Sequence, residues 1–155
     1  MERVSEINKA LEKYGAVGFR SPMVHRNLSW LQELNIQYDS SCFDYDVFQP
    51  LPGGVKSIWP FFAGKFVELP YTIPQDHTLF IVLGENTSRI WQEKSNWIIK
   101  HNGMVFALTH PDYLILESRL NVYEDYLEYI SQQKRGWHAL PKEIASQMID
   151  CAGNA

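Results

Sequence analysis

The sequence predicts an α/β fold with a mainly parallel sheet, and three observations lead there. Helical and strand-like periodicities alternate along the chain. One apolar run, Met104-Val105-Phe106-Ala107-Leu108, has no polar interruption, as suits a parallel strand covered on both faces. Arg20, Asp39 and His110, three residues suited to chemistry, each fall at the C-terminal end of an expected strand. That edge carries the site in barrels and in open α/β sheets alike.

The elements follow in order. Val4, Ile7, Leu11 and Tyr14 recur at helical spacing, and Gly15 stops the run. Ala16–Arg20 reads as a short buried strand that Pro22 ends. Leu28, Leu31 and Leu34 predict a second helix with Asn27 placed to cap it. Ile36–Ser40 reads as the second strand. From Phe43 to Gly64 the chain is a long loop with apolar anchors, where Pro50, Pro52, Gly53, Gly54 and Pro60 sit among aromatics. Phe66–Leu69 is a third strand, stopped by Pro70. Leu79–Leu83 is apolar and short, and its periodicity does not choose between strand and helix.

Ile90, Lys94, Trp97 and His101 form one helical stripe, with Trp91 and Ile98 alongside and Asn102-Gly103 as the stop. Met104–Leu108 is the clearest buried strand and leads into Thr109-His110-Pro111. Val122, Tyr123, Tyr126, Leu127 and Ile130 mark a further helix closed by Gly136. Ile144, Ala145, Met148 and Ile149 mark the last, with Pro141 at its first position.

Composition narrows the function classes. The 155 residues suit a single domain, 1–155, and the 45% hydrophobic and 21% charged content is that of a globular chain. A net charge of −4 gives no footprint for nucleic acid and no attraction to an anionic membrane. No uncharged run is long enough to span a bilayer. Cys42 and Cys151 are too few for a disulfide framework or a thiolate zinc site, which fits a reducing compartment. The polar first residues lack the apolar core of a signal peptide, so a cytoplasmic location is expected.

Four short segments then stand out together: Gly18-Phe19-Arg20-Ser21-Pro22, Tyr38-Asp39-Ser40-Ser41, Val67-Glu68-Leu69-Pro70-Tyr71 and Leu108-Thr109-His110-Pro111. The first resembles the Arg-x-Pro motif of the polysaccharide deacetylase family, carbohydrate esterase family four. The last resembles that family's Leu-x-His motif in a His-Pro variant. The middle two are similar to the intervening strands, and Trp137-His138-Ala139-Leu140-Pro141 resembles endings of bacterial members. The family's Thr-Phe-Asp-Asp and His-Ser/Thr-x-x-His motifs do not occur. The resemblance therefore covers only the C-terminal part of the family's domain. It implies the C-terminal portion of a distorted (β/α) barrel. A full barrel takes on the order of 200 residues or more.

The resemblance also implies a chemistry. In the complete family domain a divalent metal, usually zinc, activates a water toward an N-acetyl carbonyl. An Asp takes the water's proton and a His protonates the leaving amine. Matched motif by motif, Arg20 is the residue orienting that Asp and His110 is the general acid. Pro22 and Asp39 lie on the substrate side, and Trp59 occupies the loop of the family's Trp-containing motif, whose surroundings differ here. The sequence is expected to hold no metal itself. It reads as a C-terminal fragment, a split half or a degenerate member, inactive alone. An N-terminal half chain or a homodimer would complete it, with an acetylated carbohydrate or a small amide as substrate. Alternatives are a non-catalytic binding remnant and a fragment of an allantoinase-like cyclic-amide hydrolase.

Each residue also has a plainer reading. Arg20 suits a surface ion pair, His110 a turn, and Asp39 a side-chain turn or a weak role holding His110. Trp59-Pro60-Phe61-Phe62 reads first as a core anchor and second as a sugar-stacking wall. Asp76-His77 with His110 suggests metal ligation only loosely, because no His-x-x-x-His or paired-Cys spacing is present.

Overall fold

A computed structural model describes residues 2–22, 27–48 and 53–153. The elements are α1 (Glu2–Tyr14), β1 (Gly18–Phe19), α2 (Leu28–Leu31), β2 (Tyr38–Asp39), β3 (Phe61–Ala63), β4 (Phe66–Glu68), α3 (Arg89–Lys100), α4 (Glu117–Ser131) and α5 (Pro141–Gly153). A π-helical turn covers Thr78–Val82 and a 3₁₀ turn Pro111–Tyr113. The four strands form one open sheet in the order β1-β2-β4-β3. β1, β2 and β4 run parallel, with Phe19 beside Asp39 and Asp39 beside Glu68. β3 and β4 are an antiparallel hairpin. Gly64 opens its turn at φ 65, a position that tight hairpin turns reserve for glycine.

The chain divides into two compact units. The first comprises the described parts of 1–43, 59–70 and 138–155. Its core gathers Leu11, Leu31, Leu34, Ile36 and Phe66, with Val4, Ile7 and Phe19 packed against them. Val4, Ile7 and Leu11 of the expected α1 stripe therefore face inward while Tyr14 stays exposed, and Gly15 ends the helix at φ 60. Asn27 caps α2 as expected, its side chain accepting from the Ser29 and Trp30 amides. Strand contacts are close here: a Cβ on Gly18 would lie 2.0 Å from the Tyr38 ring of the neighbouring strand. α5 packs on β2 and β4 and buries Ala145.

The second unit comprises 44–58 and 71–137, described except at 49–52. Trp91 is its centre. The indole packs against Phe80, Tyr123 and Tyr126, and its Nε1 donates to the Pro74 carbonyl at 2.7 Å. Ile58, Ile73, Leu79, Ile98 and Val122 complete the cluster.

Several expectations change. Met104–Leu108 is no strand of the sheet. Its residues are half-buried, and its backbone partners are scattered. Met104 N donates to the Ile58 carbonyl, while Thr72 Oγ1 donates to the Met104 carbonyl and accepts from Phe106 N. The Thr72 and Ile73 amides both donate to the Phe106 carbonyl, and the threonine hydroxyl adds two bonds to that short backbone pairing. The ambiguous 79–83 segment is helical. The loop expected through Gly64 contains β3. α3 buries Trp91, Ser95 and Ile98, while Trp97 and His101 of the expected stripe stay exposed. The indole's large area and its Pro74 partner decide which stripe turns inward. α4 ends at Ser131, before Gly136. Pro50 and Pro52 lie outside the described residues. Among the described residues no helix is long and apolar enough to cross a membrane.

Candidate functional site

Two clusters of ionisable groups form, one in each unit. In the first unit the C-terminal edge of the parallel strands gathers Arg20, Asp39 and Glu68, brought level by strand register. Asp39 and Glu68 are fully buried. Ser41 donates to Asp39 twice, by N–H to Oδ2 at 2.8 Å and by Oγ–H to Oδ1 at 2.9 Å. Ser21 N–H donates in turn to Ser41 Oγ at 2.7 Å. Arg20 Nε donates to the Ser40 carbonyl at 3.2 Å and to Ser40 Oγ at 3.1 Å. Cys42 N–H donates to Glu68 Oε1 at 2.9 Å.

Burial dominates the charge balance there. It raises Asp39 above the usual carboxylate value, against the opposing pull of Ser41 and Arg20. Glu68 is pushed up to about 9, by burial first and then by the neighbouring Asp39 carboxyl. Two neighbouring buried carboxyls cannot both ionise cheaply.

The second cluster is built on Asp76, fully buried at the start of the helical 76–82 segment. Its Oδ1 accepts from His110 Nδ1 at 2.8 Å and from the His77 amide at 2.8 Å. Its Oδ2 accepts from the His110 amide. The Tyr113 ring stands edge-on to His110, with centroids 5.6 Å apart, and tilts against His77 at 5.3 Å. The His110 side chain is 41% exposed. With Nδ1–H donating to the carboxylate, Nε2 is the nitrogen that takes and gives protons.

The sequence-derived residues fall as follows. Arg20 and Asp39 share the first cluster, and His110 belongs to the second unit. Asp39 forms a side-chain turn with Ser41 two residues on, and Asp76, not Asp39, holds His110. Complete burial also takes the Asp39 carboxyl out of reach of a ligand in this structure. Pro22 is exposed beside Ser21. Trp59 is 49% exposed and Phe62 46%, so the core-anchor reading of Trp59-Pro60-Phe61-Phe62 is corrected for these two; the preceding Ile58 is buried.

Asp76 and Glu68 were the residues hardest to find. Glu68 carried a signal, an acid inside the apolar strand run Phe66–Leu69. Asp76 showed in the sequence only beside His77 and with His110, as a loosely suggested metal-ligand set. Its partner lies 34 residues away.

Zinc is implied only by the family resemblance. Among the described residues no three His, Cys, Asp or Glu side chains converge to hold a metal ion. Comparison with family models, with curated proteins and with solved structures found no match to this chain.

Proposed function

We propose that the chain carries the general-acid side of a deacetylase-like hydrolase that cleaves non-peptide C–N bonds, such as the N-acetyl groups of sugars. The Asp76–His110 pair is the observation that supports this best. Amide cleavage fails unless the leaving nitrogen is protonated as its C–N bond breaks. His110 is built for that transfer. Nδ1 is tied to the buried Asp76 carboxyl, which orients the ring, and the half-exposed side chain leaves Nε2 for a substrate. The proton moves from Nε2 to the amine, leaving a neutral imidazole on Asp76.

In this reading Arg20 orients a carboxylate base that comes, with the water-activating group, from outside these 155 residues. The open sheet is then part of a distorted barrel, completed by an N-terminal half chain or a second copy. A simpler role also has an observation behind it. Asp76 accepts two backbone amides besides the ring, as a purely structural tie would.

Acetate release from chitooligosaccharides separates the two. The chain is mixed with a half chain bearing the Thr-Phe-Asp-Asp and His-x-x-x-His motifs. Release is expected, falling about 10²–10⁴-fold in His110→Ala. A mixture that releases acetate equally well with His110→Ala overturns the proton-transfer role. No release from any mixture leaves the structural tie as the reading.

A further inference from the structure

We propose that Asp39 and Glu68 form a carboxyl pair holding a single proton, and that this pair positions Arg20 through the Ser40–Ser41 turn. Glu68 Oε2 is buried and receives no hydrogen bond from a donor among the described residues. A buried acceptor without a donor is costly, and an ionised one more so. The cost disappears if that carboxyl carries a proton and donates it to the carboxylate of Asp39 on the neighbouring strand. Strand register sets the two side by side, because Asp39 and Glu68 are direct partners on β2 and β4 and both are fully buried.

The rest of the network runs outward from this bond. Asp39, kept as the carboxylate, accepts both Ser41 donors and so fixes the turn after β2. Ser41 Oγ, whose proton goes to Asp39, is thereby left to accept from Ser21 N–H on the adjoining chain. The same turn presents Ser40, whose carbonyl and hydroxyl oxygens both accept from Arg20 Nε. Arg20 sits beside Ser40 in the continuation of the β1–β2 register and pulls on Asp39 by its charge.

Cys42 directs its amide to Glu68 Oε1 and leaves Oε2 unanswered. β3, beside β4, brings Phe61, Phe62 and Ala63, none of them ionisable. α5 packs on β2 and β4, and its ionisable residues Lys142, Glu143, Asp150 and Cys151 are all exposed. Any catalytic consequence rests on the orienting role proposed above for Arg20. The positioning itself does not.

Infrared and NMR spectra of the intact chain test the proposal directly. A protonated-carboxyl band is expected at neutral pH, absent in Glu68→Gln. Exchange of the Arg20 Nε proton is expected to be slow in the native chain and in Glu68→Gln, whose amide replaces the shared proton. Above the pH at which Glu68 ionises, exchange should exceed the ordinary hydroxide-catalysed rise by roughly tenfold or more in the native chain and follow that rise alone in Glu68→Gln. Asp39→Asn should quicken it at neutral pH; if that variant does not fold, the Glu68→Gln comparison decides alone. Absence of the carboxyl band, or an Arg20 exchange rate indifferent to Glu68, overturns the proposal. Failure of the acetate assay would leave these spectra unchanged, so the two readings fail separately.

Discussion

Single buried acids set much of this molecule's chemistry. Glu68 has an ordinary value of 4.5 and a folded value of about 9. Between those limits the folded chain keeps a proton that the unfolded chain has lost. Its contribution to stability is therefore full below the unfolded value and is lost as pH rises through the folded one. The slope reaches about 1.4 kcal/mol per pH unit for one proton. Thermal or urea unfolding from mildly acidic to alkaline pH should show this decline, and Glu68→Gln should flatten it. A native chain whose stability rises across that window would contradict the assignment. Asp76 makes a different prediction. It accepts three hydrogen bonds in full burial, so Asp76→Ala strands the His77 and His110 amides and should cost roughly 2–4 kcal/mol. His110→Ala removes a side chain that is 41% exposed and should cost under about 1.5 kcal/mol. Urea midpoints of the two variants measure the difference. Equal losses would mean that the ring, not the carboxylate, organises the cluster.

At the scale of elements, very short strands are held by close contacts more than by long ladders. β1 and β2 pair over only two residues each, and Gly18 faces the Tyr38 ring directly. Gly18→Ala drives a Cβ into that ring and should destabilise the first unit by about 1–3 kcal/mol, the usual range for overpacking. Combining it with Tyr38→Ala should recover part of that loss, which a double-mutant cycle reads out. In the second unit Thr72 reinforces a short backbone pairing. Its hydroxyl joins the Met104 carbonyl and the Phe106 amide at 2.7 and 3.0 Å. Thr72→Val keeps the shape and removes the bridge. A loss of roughly 1–3 kcal/mol is expected, with faster amide exchange at Phe106. Unchanged exchange there would show that neighbouring packing suffices.

For the whole molecule, the apolar surface is the telling property. Ile81, Val82 and Leu83 are consecutive and exposed, and Trp30, Ile115, Leu116, Trp137 and Leu140 are also largely exposed. A fully buried Val, Leu or Ile gains roughly 1.5–3 kcal/mol over an exposed one. Contiguous apolar surface marks association, as the consecutive residues 81–83 suggest, whereas singly scattered apolar residues are ordinary. Light scattering at micromolar concentration is expected to give a mass above that of one chain, or else the monomer should bind a hydrophobic dye. A clean monomer with no dye binding would count against any partner-completed barrel.

The sequence by itself determined the local grammar: α/β alternation, the Asn27 cap and the Gly15 stop. Those features depend on residues a few positions apart, so periodicity and turn chemistry expose them. The alternation of strands and helices also pointed to the parallel set of β1, β2 and β4. Its motif residues Arg20, Asp39 and His110 were legible as chemically suited, and Asp76 was named with His110 only as a loose metal-ligand set. Only tertiary structure decided that Asp76 holds His110, that Glu68 meets Asp39, and that Thr72 bonds to Met104 and Phe106. Each of those pairings joins residues about 30 positions apart, as 110 and 76 are separated by 34. Apolar content made 104–108 look like a strand, since a run of buried-type residues records burial and not which backbone it bonds. Hydrogen-bond partners across such distances leave no local pattern. They are fixed by register and packing once the chain has folded, and for that reason the pairing of Glu68 with Asp39 and the orientation of the His110 ring are properties of the fold.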